Sequence, residues 1–357
     1  MQGLKGLALA MLISAGAPPL MAQTVGSPDG TIRIQNAEVP PSRILSEQAK
    51  EILKVTPVTE GPGAPPLPPA PDMATTRRLM QERLAPKLRH MREIFPVDVE
   101  ETTIDGVSAA IVTPRDGIPA ANRRRVIINA PGGGFYLGNR ANGLLISIPI
   151  AAEGRLKVIT ITYRQGPEFQ FPAATEDFTK VYRAMLKSHR PTQIGLVACS
   201  AGGTLVAESA AAFQKLGLPA PGVLGIYCSG ANPKWMQGDS ASFFQLLMPA
   251  RPAAGGASPS IDGAYFASRD LNDPAISPDV DLAVLAKFPP TLFVSGTRDM
   301  AMSQAAYSHR RLLQAGAQSQ LLIYDGLAHG FMTNPDLPES RDLYRLAAKF
   351  YDAHLSH

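Results

Sequence analysis

Apolar, β-branched runs alternate with helix-like segments over most of the chain after residue 96, and this alternation constrains the fold more than any other feature. It opens with a hairpin-like pair of strand candidates at 97–106 and 107–114. Six further strand candidates follow, at 125–130, 157–163, 194–199, 222–228, 291–296 and 320–325. Helix-like stretches lie between them, near 141–153, 173–188, 201–216, 301–315 and 338–353. Continuous apolar strands separated by helices predict an α/β fold in which a mostly parallel central sheet is flanked by helices.

The first 95 residues have a different pattern. Lys5 precedes an apolar run over 6–17 that is shorter than the roughly 20 residues of a membrane-spanning helix, and a plausible cleavage site follows Ala22. Residues 1–22 are therefore a predicted signal peptide, and the mature protein is expected to be periplasmic or extracellular. Residues 23–95 hold two helical stretches around a proline-rich linker at 61–72, and we expect the second helix, 73–94, to be interrupted at Pro86.

The alternation breaks once, at about 231–270, which we interpret as an insertion into the catalytic domain of residues 96–357. This insertion and the helices within 42–95 are expected to form a cap over one end of the sheet.

A hydrophobic content of 45% suffices for a large core, and the net charge of +4 is mild. The basic run at 123–125 precedes an apolar strand, so it indicates a solvated strand entry and no nucleic-acid partner. No segment after the signal peptide predicts stable membrane insertion, and the composition leaves the oligomeric state open.

The two cysteines, Cys199 and Cys228, have no metal-site spacing, so the sequence predicts no metal centre. Two cysteines in a chain of 357 residues do not make a disulfide framework. They end consecutive strands that we expect to be neighbours, and a single bridge between them requires specific geometry that the sequence leaves undecided.

Chemistry is expected in the loops that follow the strands, because ligands of such sheets bind outside the carboxyl ends of the strands. A run of three glycines, 132–134, follows the strand at 125–130. Ser200, in Ala-Cys-Ser-Ala-Gly-Gly, follows the strand at 194–199, Asp299 follows the strand at 291–296, and His329 follows the strand at 320–325. Serine, aspartate and histidine in this order are expected where the three meet above such a sheet, with serine as nucleophile and histidine as base.

At this point the chain resembles the hormone-sensitive-lipase-like branch of the α/β-hydrolases, which are mostly carboxylesterases and lipases. The resemblance covers roughly residues 90–350. PGGGF (131–135) is similar to the HGGGF or HGGGW of that family, YRQGPEFQFPAA (163–174) to YRLAPE-x-x-FPAA, and CSAGG (199–203) to DSAGG; DPAISP (273–278) and HGF (329–331) follow in the expected order. The resemblance implies a catalytic triad of Ser200, Asp299 and His329, an oxyanion hole formed by the N–H groups of Gly133, Gly134 and Ala201, and no metal or organic cofactor.

The sequence departs from the family pattern at two places. Pro131 stands where the family has a histidine that helps hold the glycine loop, and Ala198-Cys199 replaces Gly-Asp before the serine. Phe135 and Tyr136 beside the loop are candidates for an apolar substrate pocket. Trp235, Phe243, Phe244 and Met248 in the insertion are candidates too, although packing of the cap onto the sheet would explain these four equally well.

These observations predict a serine carboxylic-ester hydrolase that forms an acyl-enzyme on short- to medium-chain esters or lactones, with a small-molecule ester as its partner. Two alternatives stay open at this point. A serine amidase or peptidase would use the same fold and triad, and a matched ester and amide would separate the two. A non-catalytic ligand-binding protein is the other, favoured by the unusual Pro131 and Cys199.

Overall fold

The computed structural model describes residues 24–26, 32–34, 39–55, 72–247, 265–267 and 269–357. The chain divides into two units, residues 1–41 and 42–357. In the first unit, strands β1 (Thr24–Gly26) and β2 (Ile32–Ile34) pair antiparallel, with Val25 opposite Arg33. The predicted signal peptide, almost all of the predicted linker and Met248 lie outside the described residues.

The second unit is built on an eight-stranded sheet. Its strands are β3 (Val97–Ile104), β4 (Val107–Pro114), β5 (Val126–Asn129), β6 (Lys157–Ile161), β7 (Ile194–Cys199), β8 (Val223–Tyr227), β9 (Thr291–Arg298) and β10 (Ser319–Ala328). The strand order is β10-β9-β8-β7-β5-β6-β4-β3. Only the pairs β3–β4 and β4–β6 are antiparallel among these strands, which confirms the predicted mostly parallel sheet with a hairpin at its start.

The central strands are apolar throughout because both faces of the sheet are covered. Every residue of β5, β7 and β8 is buried. The helices are α1 (Glu47–Val55), α2 (Met73–Ile94), α3 (Arg140–Gly154), α4 (Ala173–Leu186), α5 (Ala201–Lys215), α6 (Asp239–Leu247), α7 (Leu282–Leu285), α8 (Met302–Gln314) and α9 (Pro338–His354). Helices α2, α3 and α9 share the apolar core on one face of the sheet, whereas α4, α5 and α8 share the core on the other.

The expected interruption at Pro86 is wrong, because α2 runs unbroken from Met73 to Ile94 with Pro86 inside it. A proline within a helix removes one backbone hydrogen bond and costs about 3 kcal/mol. Helix α2 packs along α3 and buries Met91 in the apolar core after the proline. Before the proline, Arg77 binds the Tyr136 carbonyl oxygen and Glu168. Tertiary packing therefore overrides the local preference of Pro86. Over the ranges that the structure covers, no helix combines the length and hydrophobicity needed to cross a membrane.

The predicted insertion is described over 231–247, 265–267 and 269–270. It contributes α6 and the buried rings of Trp235, Tyr265 and Phe266. Helix α6 packs against α8 and β9. The role of this segment and of α1 and α2 as a substrate cap stays a prediction.

Candidate active site

Ser200 lies on the sharp turn that joins strand β7 to helix α5. Its backbone angles are φ 61° and ψ −130°, a strained conformation for a residue with a side chain. The Ser200 N–H donates to the carbonyl oxygen of Tyr227 on the neighbouring strand, at 2.8 Å, and this bond fixes the turn. The strain therefore presents the Ser200 side chain above the carboxyl end of the sheet, where it is partly exposed.

Small residues around the serine are required by contact with the loop that follows β5. A Cβ added at Gly202 would lie 2.4 Å from the carbonyl oxygen of Ala130, and one at Gly132 would lie 2.9 Å from the carbonyl oxygen of Cys199 and 3.1 Å from Ser200 Cβ. The glycine loop consequently touches the serine turn through backbone atoms. A Cβ on residue 202 would lie only 3.0 Å from the Ala198 Cβ. Because residue 202 is a glycine, Ala198 fits where the family pattern has a glycine.

The structure brings Ser200, His329 and Asp299 together in one hydrogen-bonded line. His329 Nε2 lies 2.9 Å from Ser200 Oγ, and His329 Nδ1 lies 2.7 Å from Asp299 Oδ1. Because a carboxylate can only accept a hydrogen bond, we assign the ring proton of neutral His329 to Nδ1, which donates to Asp299. Nε2 then has a free lone pair that can accept the hydroxyl proton of Ser200. The three residues follow β7, β9 and β10, so the sheet order explains their meeting although 129 residues separate the serine from the histidine.

Asp299 is fully buried and accepts further hydrogen bonds from the Ala301 N–H, at 2.9 Å, and from Ser295 Oγ, at 2.8 Å. Burial alone would raise the pKa of Asp299, but the neighbouring His329 and these donors hold it below its usual value. Burial would likewise lower the pKa of His329, whereas the Asp299 carboxylate raises it to about 9. The pair therefore favours a carboxylate that orients the imidazole and stabilises its protonated form.

The glycine loop presents backbone N–H groups beside the serine. Gly133 and Gly134 have φ values of 112° and 63°, a region that favours glycine. In the part of the chain that the structure covers, the N–H groups of Gly133, Gly134 and Ala201 donate to no protein acceptor. Ala201 also begins helix α5, whose N-terminal end favours negative charge. These three groups are available to a ligand oxygen.

Side chains from the segment 163–166 hold the glycine loop in place. The Tyr163 hydroxyl donates to the Pro131 carbonyl, at 3.0 Å. Gln165 makes two bonds to Gly138: its Nε2 donates to the carbonyl oxygen, and its Oε1 accepts from the N–H, both at 2.8 Å. A Cβ on Gly133 would lie 2.6 Å from Gly138 N, so Gly138 packs directly against Gly133. Fixing Gly138 thus fixes the loop.

Arg77 of helix α2 also holds the glycine loop in place, and these contacts of Arg77 and Gln165 are called the brace below. Its guanidinium donates to the carbonyl oxygen of Tyr136, at 2.8 Å, and to that of Gly166, at 2.6 Å. It also forms a two-bond ion pair with Glu168, at 2.8 and 2.7 Å. The N-terminal helical region is therefore tied to the loop that carries the candidate oxyanion donors.

The predicted pocket residues fall into two groups. Phe135 and Trp235 are buried and lie in an aromatic cluster, with the Phe135 ring stacked at 4.8 Å on Tyr265 and at 6.2 Å on Trp235. The Trp235 indole N–H donates to Ser229 Oγ, at 3.1 Å. These two rings form an apolar wall behind the loop and expose almost no surface of their own. Tyr136 is half-buried on the side facing Arg77.

Cys199 and Cys228 are free thiols, and both are buried. Cys199 belongs to the apolar core on the α3 side of the sheet, with its sulfur 4.0 Å from Met332 Sδ. The residue next to Ser200 thus points away from the serine hydroxyl, which agrees with the alternation of side chains along a strand.

A cavity of about 670 Å³ lies beside the brace. Its walls include Arg77, Arg140 and Arg164, but none of Ser200, Asp299 or His329. All three guanidinium groups already pair with carboxylates, Glu168, Glu101 and Asp177 respectively. This cavity is consequently separate from the serine site.

A protein-family model described as the alpha/beta hydrolase fold matches residues 127–333, more than half of the chain. The chain belongs to the α/β-hydrolase fold family. The versiconal hemiacetal acetate esterase of Dothistroma septosporum is 26% identical to this α/β-hydrolase over 280 residues, which cover 74% of this chain and 83% of that protein. An acetyl-hydrolase of Streptomyces hygroscopicus is 26% identical over 247 residues, covering 65% and 77%.

Solved structures agree with these relatives. The crystal structure of an esterase named E25 superposes with a TM-score of 0.77 at 28% identity, covering 90% of this chain and 98% of that chain. An esterase from the bacterial hormone-sensitive lipase family is 24% identical and superposes with a TM-score of 0.69, covering 81% of this chain and 94% of that chain. This superposition supports the fold. The predicted resemblance and enzyme class are confirmed: this α/β-hydrolase is a hydrolase of ester bonds.

Three residues that contribute to the site were not predicted. Ser295 lies within β9 and supports Asp299, Gln165 lies inside a motif otherwise similar to the family's, and Arg77 lies in a separate helix. Gln165 alone carried a usable signal, since it replaces the leucine of the YRLAPE pattern with a side chain that both donates and accepts.

Proposed function

We propose that this α/β-hydrolase is a serine carboxylic-ester hydrolase that acts through Ser200, His329 and Asp299 and an acyl-enzyme. The observation that carries the proposal is the continuous hydrogen-bonded line from Ser200 Oγ through the imidazole to the buried Asp299 carboxylate. The strained serine turn and the unpartnered N–H groups of the glycine loop support it.

In the proposed first step, Ser200 Oγ attacks the ester carbonyl carbon while His329 Nε2 accepts the hydroxyl proton. The carbonyl oxygen becomes negatively charged and is bound by the N–H groups of Gly133, Gly134 and Ala201. The tetrahedral intermediate collapses, the carbon–oxygen bond to the alcohol breaks, and the leaving alkoxide takes the proton from Nε2. Water then attacks the acyl-enzyme by the same route and releases the acid.

We propose short-chain esters as the substrate class. The relatives named above are an acetate esterase and an acetyl-hydrolase, and a further relative from Pseudomonas putida is named ethyl acetate hydrolase, 24% identical over 267 residues. The buried, stacked rings of Phe135, Trp235 and Tyr265 fill the space behind the glycine loop, so an acyl chain cannot extend in that direction.

The test is hydrolysis of p-nitrophenyl esters from acetate to palmitate by the wild-type protein, Ser200→Ala and the matched control Ser209→Ala. Ser209 is a buried serine on the same helix whose hydroxyl has no partner among the described residues, so its loss should leave turnover unchanged. We expect the highest turnover on short acyl chains and at least a ~10³-fold loss in Ser200→Ala.

A matched ester and amide, assayed side by side, separates the esterase from the amidase or peptidase alternative. A phosphonate label should add its mass to the peptide that contains Ser200. Wild-type turnover in a folded Ser200→Ala protein would overturn the assignment. Absence of both turnover and labelling in the folded wild type would favour a ligand-binding protein.

A further inference from the structure

The proposed reaction leaves two buried cysteines without a role, and both lie against the triad. Cys228 directly follows strand β8, and its φ of 49° interrupts the alternation of side chains along that strand. As a result Cys228 enters the same apolar core as Cys199 and Tyr227. The backbone N–H of Gly330, the residue after His329, donates to Cys228 Sγ at 3.2 Å. The Cys228 sulfur is therefore held beside the histidine.

We propose that Cys228, His329 and Asp299 form a binding site for a divalent, zinc-type metal ion whose occupancy switches the triad off. A sulfur of Cys228, a carboxylate oxygen of Asp299 and a ring nitrogen of His329 all lie within 4.8 Å of one another. Ligand atoms around a tetrahedral ion with bond lengths of roughly 2.0–2.3 Å are about 3.3–3.8 Å apart. To admit the ion, His329 Nδ1 and Asp299 Oδ1, now 2.7 Å apart, would have to separate slightly, and Cys228 Sγ would have to lie within this range of both. Thiolate, imidazole and carboxylate are the three ligand types that zinc takes in proteins.

Charge balance suits the burial of this site. Binding would replace the thiol proton of Cys228 and, where the His329 imidazole is protonated on both nitrogens, one ring proton as well. These protons are released to solvent, and the ion takes their places. A divalent ion with one thiolate and one carboxylate has no net charge, and a neutral complex avoids the large cost of burying an unpaired charge. The Gly330 N–H, already directed at the sulfur, would then stabilise the thiolate from outside the ligand set.

Metal binding would inhibit the proposed reaction because it changes which nitrogen of the His329 ring carries a proton. His329 Nδ1 faces Asp299, and an ion between them would bind Nδ1 in place of its proton. A neutral imidazole bound to metal through Nδ1 carries its remaining proton on Nε2. That nitrogen, 2.9 Å from Ser200 Oγ, could then no longer accept the serine proton. The inhibition rests on the proposed function, whereas metal binding itself does not.

Further sulfur lies around Cys228. Met332 Sδ is 3.7 Å from Cys228 Sγ and 4.0 Å from Cys199 Sγ, so three sulfur atoms lie close together. Soft donors of this kind favour zinc and cadmium over magnesium or calcium. Entry is available from the serine side, where the His329 side chain is 14% exposed.

The experiment uses the reduced full-length protein, Cys228→Ser and the matched control Cys199→Ser, each titrated with Zn²⁺ against a chromophoric chelator and with Cd²⁺. We expect one ion per chain, a thiolate-to-cadmium charge-transfer absorption, and at least a roughly tenfold weaker affinity in Cys228→Ser, because losing a ligand should exceed the effect of losing an outer partner. Cys199→Ser keeps all three proposed ligands, so it should weaken binding by less than Cys228→Ser. Turnover, normalised to each variant's own zinc-free rate, should fall with occupancy and return on addition of EDTA.

Equal Zn²⁺ affinity and no loss of the cadmium absorption in Cys228→Ser would overturn the site. Loss of binding in Cys199→Ser alone would refute this set of ligands. Inhibition that a thiol reductant reverses and EDTA does not would show oxidation of the cysteine pair instead. Because the absorption and chelator competition need no substrate, metal binding without esterase turnover would indicate failure of the proposed function and leave the site intact.

Discussion

Replacing Gln165 by leucine, the residue of the family pattern, should disable the reaction through the glycine loop without touching the triad. Gln165 is buried, and its amide makes both of its bonds to Gly138, which packs against Gly133. Leucine fills a similar volume but can neither donate nor accept. The Gly138 N–H and carbonyl oxygen would then lose their partners in a buried position.

Each unsatisfied buried group costs about 1–3 kcal/mol, so the substitution removes roughly 2–6 kcal/mol if the loop stays in place. The loop lowers this cost by moving, and movement displaces the oxyanion donors. Loss of one such donor lowers kcat by about 10²–10³-fold. Since Tyr163 and Arg77 still hold the loop at Pro131 and Tyr136, we expect partial displacement: a fall in kcat of about 10–100-fold with an unfolding free energy lower by ~2 kcal/mol.

The assay is kcat and KM on p-nitrophenyl acetate, together with the affinity of a transition-state analogue such as a trifluoromethyl ketone. Donors that act on the oxyanion affect the transition state more than the bound ester, so KM should change little while the analogue weakens in parallel with kcat. Gln214→Leu is the matched control, because Gln214 makes one half-buried bond to the Val284 carbonyl, at 3.1 Å, far from the loop. If Gln165→Leu loses stability yet keeps kcat and analogue affinity, the brace is structural only and our reasoning is refuted.

Two further predictions concern a glycine of the loop beside Ser200 and a buried carboxyl group on helix α5. Gly132→Ala would place its Cβ 2.9 Å from the Cys199 carbonyl oxygen, so the loop must retreat and kcat should fall by at least ~10²-fold, whereas Gly154→Ala, which meets only the Leu156 side chain at 3.3 Å, should retain activity in the same assay. Glu208 is fully buried, and among the described residues Thr175 is its only hydrogen-bond partner. Burial raises the pKa of Glu208 well above the usual value. A raised folded pKa means that wild-type stability falls as pH rises from about 4.3 through that folded pKa. Thermal melts from pH 5 to 10 should therefore show the melting temperature of Glu208→Gln rising relative to that of the wild type toward alkaline pH. A difference in melting temperature that stays constant across this range would contradict the prediction.

The positions of the strands and of Ser200, Asp299 and His329 could be predicted because one physical cause links them. Strands β5, β7 and β8 are covered on both faces, so their sequences are continuous apolar runs whose ends are easy to locate. Ser200 follows such an end, and Asp299 and His329 follow β9 and β10. The order of strands in the sheet then brings Ser200 and His329 together regardless of the residues between them.

Contacts between segments without a shared pattern could not be predicted. Arg77 reaches the Tyr136 carbonyl from a helix 59 residues earlier, and nothing in the sequence of α2 marks it. Helix α2 continues through Pro86 while packed against α3, which lies later in the chain, and the sequence of α2 does not reveal that packing. The proximity of Cys228 to His329 depends on a left-handed backbone at Cys228 that no glycine or asparagine announces.

The two departures from the family pattern acquire physical explanations that favour catalysis over a binding role. At residue 131 the contact that matters is the backbone carbonyl, which accepts the Tyr163 hydroxyl, and proline supplies that carbonyl as well as histidine does. The remaining hold on the loop comes from Gln165 and Arg77, which do not involve the side chain of residue 131. At residue 199 the side chain lies in the core on the α3 side and away from the Ser200 hydroxyl, so a thiol there removes a polar contact without competing for the substrate. Neither change disturbs the Ser200–His329–Asp299 line, and Ser200 keeps the strained φ of 61° that presents its hydroxyl above the sheet.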